Sequence, residues 1–319
     1  MTTPWLVADV GGTNARFALV DGPGAAPERV VSLPTREHTG LAEAAAAYLA
    51  GHAGGARPSA ACLAVAGPVA DGRIHLTNAG WAADTVERAR AHLGIDRLTV
   101  INDFEALAWS LPGLGPDDLL AVGGALPPAD GPRAVLGPGT GLGVAGLVPV
   151  PGGGWVPVAG EGGHVDVPAG TDREIEIMRL LRAELGVANA EYLLSGDGLA
   201  RTYRLLAMLN GARVQPLTAA MIVERRDDPA CAEALALFCG LLGSFAGNAA
   251  LTLGARGGVY LAGGILPRIP GVLEASDFRR RFEDKPPVTD FLKAIPTALI
   301  VHPYPALVGA ALRLAHETS

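Results

Sequence analysis

The sequence predicts an α/β protein of two domains built on one repeated plan, and three observations predict it. Short apolar runs of strand length alternate with longer segments of helical periodicity, the pattern of an α/β fold. The layout that opens the chain (apolar strand, Gly/Thr-rich reversal, apolar strand) returns in RAVLGPGTGLGVAGLV, residues 133–148. Between the two copies lies LPGLGP, residues 111–116, whose prolines and glycines mark a domain boundary. A length of 319 residues suits two domains of ordinary size.

In chain order, residues 5–10 and 16–21 read as a hairpin and ERVVSLPT, residues 28–35, as a third strand. LAEAAAAYLAGH, residues 41–52, is Ala-rich helix, and SAACLAVAGPV, residues 59–69, is a buried strand ending at Gly67-Pro68. WAADTVERARAHLG, residues 81–94, reads as an amphipathic helix closed by Gly94. RLTVIND, residues 97–103, is a strand ending in Asn-Asp, continued by the helical FEALAWSL. In the second half, TDREIEIMRLLRAELG, residues 171–186, opens with a capping box (Thr171, Glu174) and closes at Gly186. GGVYLAGGILPR, residues 257–268, is a short buried strand framed by glycine pairs; ALIVHP, residues 298–303, is the last strand, before a C-terminal helix. Setting DVGGTNARFALV over GPGTGLGVAGLV matches Gly11 with Gly139, Leu19 with Leu147 and Val20 with Val148, consistent with internal duplication.

Hydrophobic residues at 49% and charged residues at 18% allow a sizeable core. The formal charge of -7 and a pI near 5.5 argue against a nucleic-acid or anionic-membrane surface as partner. Cys62, Cys231 and Cys239 are scattered, match no metal spacing and fit a reduced compartment. LALFCGLLGSFAGNAALTLGA, residues 235–255, imitates a membrane span, but Ser244, Asn248 and Thr252 make a polar stripe on one helix face. Gly240, Gly243 and Gly247 beside it permit close packing, so a buried helix is expected. With no basic-then-apolar leader visible, the expectation is a soluble, cytoplasmic protein without membrane attachment.

A glycine-rich reversal lets successive backbone N–H groups converge on an anion. Two such turns would hold a polyphosphate from both sides. Asp9 in VADVGGTNARFALVDG would repel bare phosphate, and makes sense beside a divalent cation such as Mg²⁺. Rival phosphate sites fail on residue type. A Walker loop or a protein kinase needs a lysine in a defined context, and the two lysines, Lys285 in EDKPP and Lys293 in FLKAI, lie in neither. A dinucleotide fingerprint would run into a helix, whereas Gly11-Gly12 runs into another strand.

Asn102-Asp103 follows an apolar strand at the mouth of a helix. Either residue would serve as a helix cap. An Asp there could also take the proton of a substrate hydroxyl that attacks phosphorus. In GEGGHVDV, residues 160–167, two glycines separate Glu161 from His164, a loop that presents both side chains to one polar ligand rather than a zinc helix. A satisfied core histidine is the plain alternative. Glu191 in NAEYLLSGDGL reads equally as a solvated helix residue, and Asn78 in LTNAGW as a turn residue. Together these side chains suit a ligand rich in hydroxyls.

At these positions the chain resembles bacterial ATP-dependent glucokinases, within the sugar kinase, heat-shock ATPase and actin superfamily. The matching segments are DVGGTNAR (9–16), LTNAGW (76–81), INDFEA (101–106), GPGTGLG (137–143), GEGGHVD (160–166), LSGDGL (194–199), FCGLLGSFAGNAALTLG (238–254) and GGVYLAGGILPR (257–268). They stand in family order and span almost the whole chain.

The resemblance implies an actin-like ATPase fold, two ribonuclease-H-like domains with a cleft between them. It implies a small domain of residues 1–112 plus 304–319 and a large domain of residues 113–303. It makes Asp103 the catalytic base and Asn78, Asn102, Glu161, His164 and Glu191 sugar ligands. Asp9, Gly11, Gly12, Thr13 and Asn14 resemble the first phosphate loop, and Gly139, Thr140 and Gly141 the second. Gly263 and Gly264 resemble the adenosine-side motif. Asp9 is implied to act on Mg²⁺ through water. The implied reaction is transfer from ATP to the 6-hydroxyl of glucose, by a homodimer. Pro138 stands where the family pattern leads one to expect a small residue such as Ala, and it removes one N–H donor from that loop. The Cys-rich zinc motif of related sugar kinases and repressors is not formed by Cys62, Cys231 and Cys239, and the turn at residue 9 leaves no room for a repressor's DNA-reading helices. A kinase for another hexose or aminosugar, polyphosphate as donor, and a catalytically silent sugar sensor remain open from the motifs.

Overall fold

The structure is a computed structural model that describes residues 3–76, 79–124, 126 and 130–317. The chain divides into two compact units: Met1–Gly115 with Val150–Ala159 and His302–Ser319, and Pro116–Pro149 with Gly160–Val301.

In the first unit five strands lie side by side in the order Glu28–Pro34, Asn14–Val20, Trp5–Val10, Ala60–Val65, Arg97–Asn102. The opening hairpin is antiparallel, and the last three strands are mutually parallel. Ala60–Val65 is buried at every position, which explains its unbroken apolar sequence: it lies mid-sheet with both faces covered. Parallel pairing brings strand ends to one edge, with Asp9 beside Ala64 and Ala64 beside Ile101. Asp9 and the Asn102-Asp103 pair therefore reach the same edge, two strand spacings or about 10 Å apart.

Helix Leu41–Gly51 covers one face and packs Tyr48 on Phe17 with ring centroids 5.4 Å apart. The C-terminal helix Pro305–Glu317 packs on Asp103–Ser110. A Cβ at Gly309 would lie 1.7 Å from the Ala106 carbonyl oxygen, so the two helix backbones touch there. The amphipathic helix expected from residue 81 starts instead at Val86. Thr85 takes the cap, its hydroxyl accepting from the Arg88 N–H, and Trp81 is turned into the core.

In the second unit the strands run Leu142–Pro149, Arg133–Pro138, Val259–Leu261, Thr297–Ile300, Leu119–Ala121. The repeated hairpin is present and its inner strand again pairs in parallel with the next. The two turns differ by one residue. The first spans residues 11–14 between paired Val10 and Ala15, and the second spans 139–141 between paired Pro138 and Leu142. Beyond the turn the sequence overlay is thus one place out of register.

Helix Pro229–Leu253 is long and apolar enough to cross a membrane, yet most of it is buried in protein. A Cβ at Gly243 would meet the Phe278 carbonyl oxygen at 2.1 Å, and one at Gly247 the Phe282 oxygen at 2.6 Å. The glycines therefore let helix Phe278–Glu283 lie against this helix backbone to backbone. Only part of the polar stripe faces inward. Ser244 accepts from Arg281 Nε at 2.9 Å, while Asn248 and Thr252 are exposed. Arg281 also makes a two-pronged pair with buried Glu174, whose carboxylate accepts from the Gly170 N–H at 2.6 Å. Thr171 caps helix Asp172–Leu185 as expected, but Glu174 serves Arg281 and Gly170.

Candidate active site

The first turn sits at the edge where the parallel strands of the first unit end. Gly11 N–H donates to the Asn14 carbonyl at 2.9 Å, and Val10 accepts from the Ala66 N–H at 2.8 Å. An added Cβ at Gly11 would meet only the Asn14 oxygen, at 3.7 Å. Asp9 lies opposite Arg16 across the hairpin, and Arg16 Nη1 is 3.3 Å from Asp9 Oδ2. Burial pushes the Asp9 carboxyl up, with Arg16 opposing.

Two residues beyond Ile101, the chain turns into helix Asp103–Ser110. Asn102 is the cap: its Oδ1 accepts from Phe104 N–H at 2.8 Å and Glu105 N–H at 3.4 Å, and its Nδ2 donates to the Gly67 carbonyl at 3.3 Å. Capping thus falls to Asn102, and Asp103 keeps a carboxylate whose Oδ1 accepts from Phe104 N–H at 3.0 Å. Burial, and then the negative charge of Asp9, push the Asp103 carboxyl up to about 6, while hydrogen bonds from the helix mouth hold it down. A carboxylate that titrates near neutrality is a competent proton acceptor.

The second unit gathers its own group. Gly139 N–H donates to Gly141 O at 2.8 Å, and Gly139 O accepts from Gly196 N–H at 2.8 Å, at the start of helix Gly196–Leu209. Ser195 caps that helix through the Gly198 N–H. Glu191 Oε2 accepts from Leu142 N–H at 2.9 Å, and a Cβ at Gly141 would sit 2.4 Å from the same oxygen. Glu191 lies in a turn, not on a solvated helix, and its backbone N–H donates to Gly163 O at 2.9 Å. That bond ties the Glu191 segment to the loop carrying exposed Glu161 and His164, which itself bridges to the second hairpin at Val144. Gly263 packs on the other side. Its φ of +91° and the Pro138 oxygen, 2.3 Å from where a Cβ would lie, require glycine. Gly139 and Gly264 are different: a Cβ at either would meet nothing within 4 Å. The left-handed conformation occurs at Gly263 and not at Gly11, Gly139, Gly141 or Gly264.

The sequence profile of the Glucokinase family matches residues 6–317. The chain belongs to the glucokinase family. The glucokinase of Aromatoleum aromaticum is 47% identical over 316 residues, 98% of this chain and 95% of that protein. The crystal structure of a glucokinase from an Antarctic psychrotroph, 35% identical, superposes with a TM-score of 0.87 over 99% of this chain and 100% of the other. The fold extends to a ROK-family glucokinase from Streptomyces griseus solved in complex with glucose and AMPPNP. It is 20% identical, with a TM-score of 0.69 over 98% of this chain and 99% of that one.

Of the residues that the glucokinase resemblance singles out, Asp9, the first turn, Asn102 and Asp103 lie together at one sheet edge of the first unit. The second turn, Glu161, His164, Glu191, Gly263 and Gly264 lie in the second. Asn78 falls outside the described residues. Two further residues hold the first turn and were missed in the sequence: Arg16 on Asp9, and Thr35, which bonds the turn's carbonyls. Strand alternation across the hairpin places Arg16 opposite Asp9 and was a usable signal. Thr35 comes from the short helical turn that follows strand Glu28–Pro34, and nothing local marks it.

Proposed function

We propose that this glucokinase-family chain transfers the γ-phosphoryl group of ATP to the 6-hydroxyl of D-glucose, giving glucose 6-phosphate and ADP. Asp103 carries the reading: a carboxylate tuned to about 6, at the ends of parallel strands, on a helix mouth already capped by Asn102. It accepts the hydroxyl proton as that oxygen attacks phosphorus. Phosphoryl transfer leaves little covalent work to a protein, so positioning and charge neutralisation dominate.

The residues fit a triphosphate. Space stands open over Gly11, Gly139 and Gly264, where side chains would intrude. The backbone N–H groups of Gly12, Thr13 and Asn14, and of Thr140 and Gly141, are the phosphate donors in this account, with Gly263 and Gly264 on the adenosine side. Asp9, with a partly exposed carboxylate, would hold Mg²⁺ through water. Bound there, the metal supplies positive charge to the phosphate oxygens. Asn78, Asn102, Glu161, His164 and Glu191 take the sugar hydroxyls. Glu191 has Oε1 left after Leu142.

The finer architecture is part of the same proposal. Each unit has an antiparallel hairpin extended by parallel strands, which supports two ribonuclease-H-like domains of an actin-like ATPase, residues 1–112 with 304–319 and 113–303. Closure of these domains over a cleft would exclude water as acceptor. A cytoplasmic homodimer follows from the family resemblance and is read by sedimentation velocity and cell fractionation.

The test is a panel of hexoses and aminosugars against ATP, GTP and polyphosphate, with the product's phosphate position read by NMR. Glucose with ATP should give the 6-phosphate fastest. Nucleotide turnover that ignores sugar, or no turnover at all, would overturn the proposal.

A further inference from the structure

We infer that Thr35 is a positioning residue for the nucleotide phosphates, because it fixes the direction in which the first turn's peptide groups point. This rests on the kinase proposal, which takes that turn as a phosphate cradle. Thr35 follows strand Glu28–Pro34 and is buried, a polar residue with 2% exposure. Both of its donors are spent on the turn. Its hydroxyl donates to the Gly12 carbonyl at 2.7 Å, and its N–H donates to the Thr13 carbonyl at 3.0 Å.

In a planar trans peptide the C=O and the following N–H point in opposite directions. Drawing the Gly12 and Thr13 carbonyls to Thr35 therefore turns the N–H groups of Thr13 and Asn14 away from it. Without these bonds the Gly12 and Thr13 peptide planes could turn and present carbonyl oxygens to an anion. Thr35 removes that choice before any ligand arrives. The arrangement lowers the ordering cost of binding, as expected of a preorganised site.

Thr35 is itself anchored. Trp81 Nε1 donates to the Thr35 carbonyl at 3.1 Å and to the His38 carbonyl at 2.9 Å. This gives the tryptophan of LTNAGW a purpose that the sugar-contact reading of that motif leaves unexplained. It also accounts for Trp81 turning inward rather than starting a helix.

The experiment compares wild type with Thr35→Val, Thr35→Ser and Trp81→Phe. Titration calorimetry gives Kd for Mg-AMPPNP and, separately, for glucose, with Tm recorded for each variant. Thr35→Val keeps shape and backbone N–H and loses only the hydroxyl. Its nucleotide Kd should rise about fivefold, the size of one neutral hydrogen bond, with glucose Kd within about twofold. Thr35→Ser should return the nucleotide Kd to within about twofold of wild type. Trp81→Phe, which leaves Thr35 in place but unanchored, should weaken nucleotide about two- to threefold. Wild-type nucleotide affinity in both Thr35→Val and Trp81→Phe overturns the inference. So does an equal loss for nucleotide and glucose that simply tracks a lowered Tm. A wild-type protein that binds no Mg-AMPPNP overturns the kinase proposal and this inference with it.

Discussion

Replacing Asp103 by Asn should make the protein more stable and nearly inactive, and both effects come from one buried charge. The Asp103 carboxyl is raised from an ordinary 3.8 to about 6, mainly by burial. A shift of about 2 units corresponds to roughly 3 kcal/mol of folding free energy withheld whenever the group is ionised. The sign follows from the proton count. Between about pH 4 and pH 6 the unfolded chain has released this proton and the folded protein still holds it, so rising pH costs stability across that window. Asn carries no such charge, and its Oδ1 still accepts from the Phe104 N–H. Asp103→Asn should therefore match wild type below about pH 4 and gain up to about 3 kcal/mol by pH 7, some 4 °C in Tm. Its kcat should fall about 10²–10⁴-fold with glucose affinity largely kept. Scanning calorimetry at pH 4 and 7, with a coupled ADP-release assay, reads both. A kcat within tenfold of wild type, or a Tm gap equal at both pH values, would refute the reasoning.

Gly139→Ala should fold with a normal Tm, because a Cβ there meets nothing within 4 Å, yet raise KM for ATP about tenfold or more. Gly263→Ala should lose stability instead, as its φ of +91° and the Pro138 oxygen leave no room; circular dichroism melts separate the two. Asp9→Asn should weaken the Mg²⁺ dependence of activity. It should also move the acid limb of kcat/KM to lower pH, since the Asp9 charge helps raise Asp103. Arg281→Met should destabilise by about 3–5 kcal/mol in denaturant titration, because it strands the Glu174 carboxylate, which is only 1% exposed.

The motifs that carry chemistry were legible because each pairs a residue type with a chain reversal. DVGGTNAR showed an acid at the end of a strand, and INDFEA showed two polar side chains at a helix mouth where a cap needs only one. The sequence left the division of labour within Asn102-Asp103 open, since both residues cap helices well. The structure divides it through the Asn102 Oδ1 bonds to Phe104 and Glu105. Glu191 was illegible locally because its partners, Leu142 N–H and Gly163 O, lie far away in sequence. Whether a turn glycine supplies positive φ, as at Gly263, or empty space, as at Gly139, depends on neighbours that composition does not name. The apolar character of Pro229–Leu253 was read correctly as burial, because Gly243 and Gly247 recur on one face at helix-contact spacing.

The most direct measurement is a crystal structure with glucose and Mg-AMPPNP bound. An Asp103 carboxylate oxygen should lie about 2.6–3.2 Å from the sugar's 6-hydroxyl, with backbone N–H groups of both glycine turns on phosphate oxygens. A carboxylate more than one water molecule away from that hydroxyl, or phosphates held away from both turns, would contradict it.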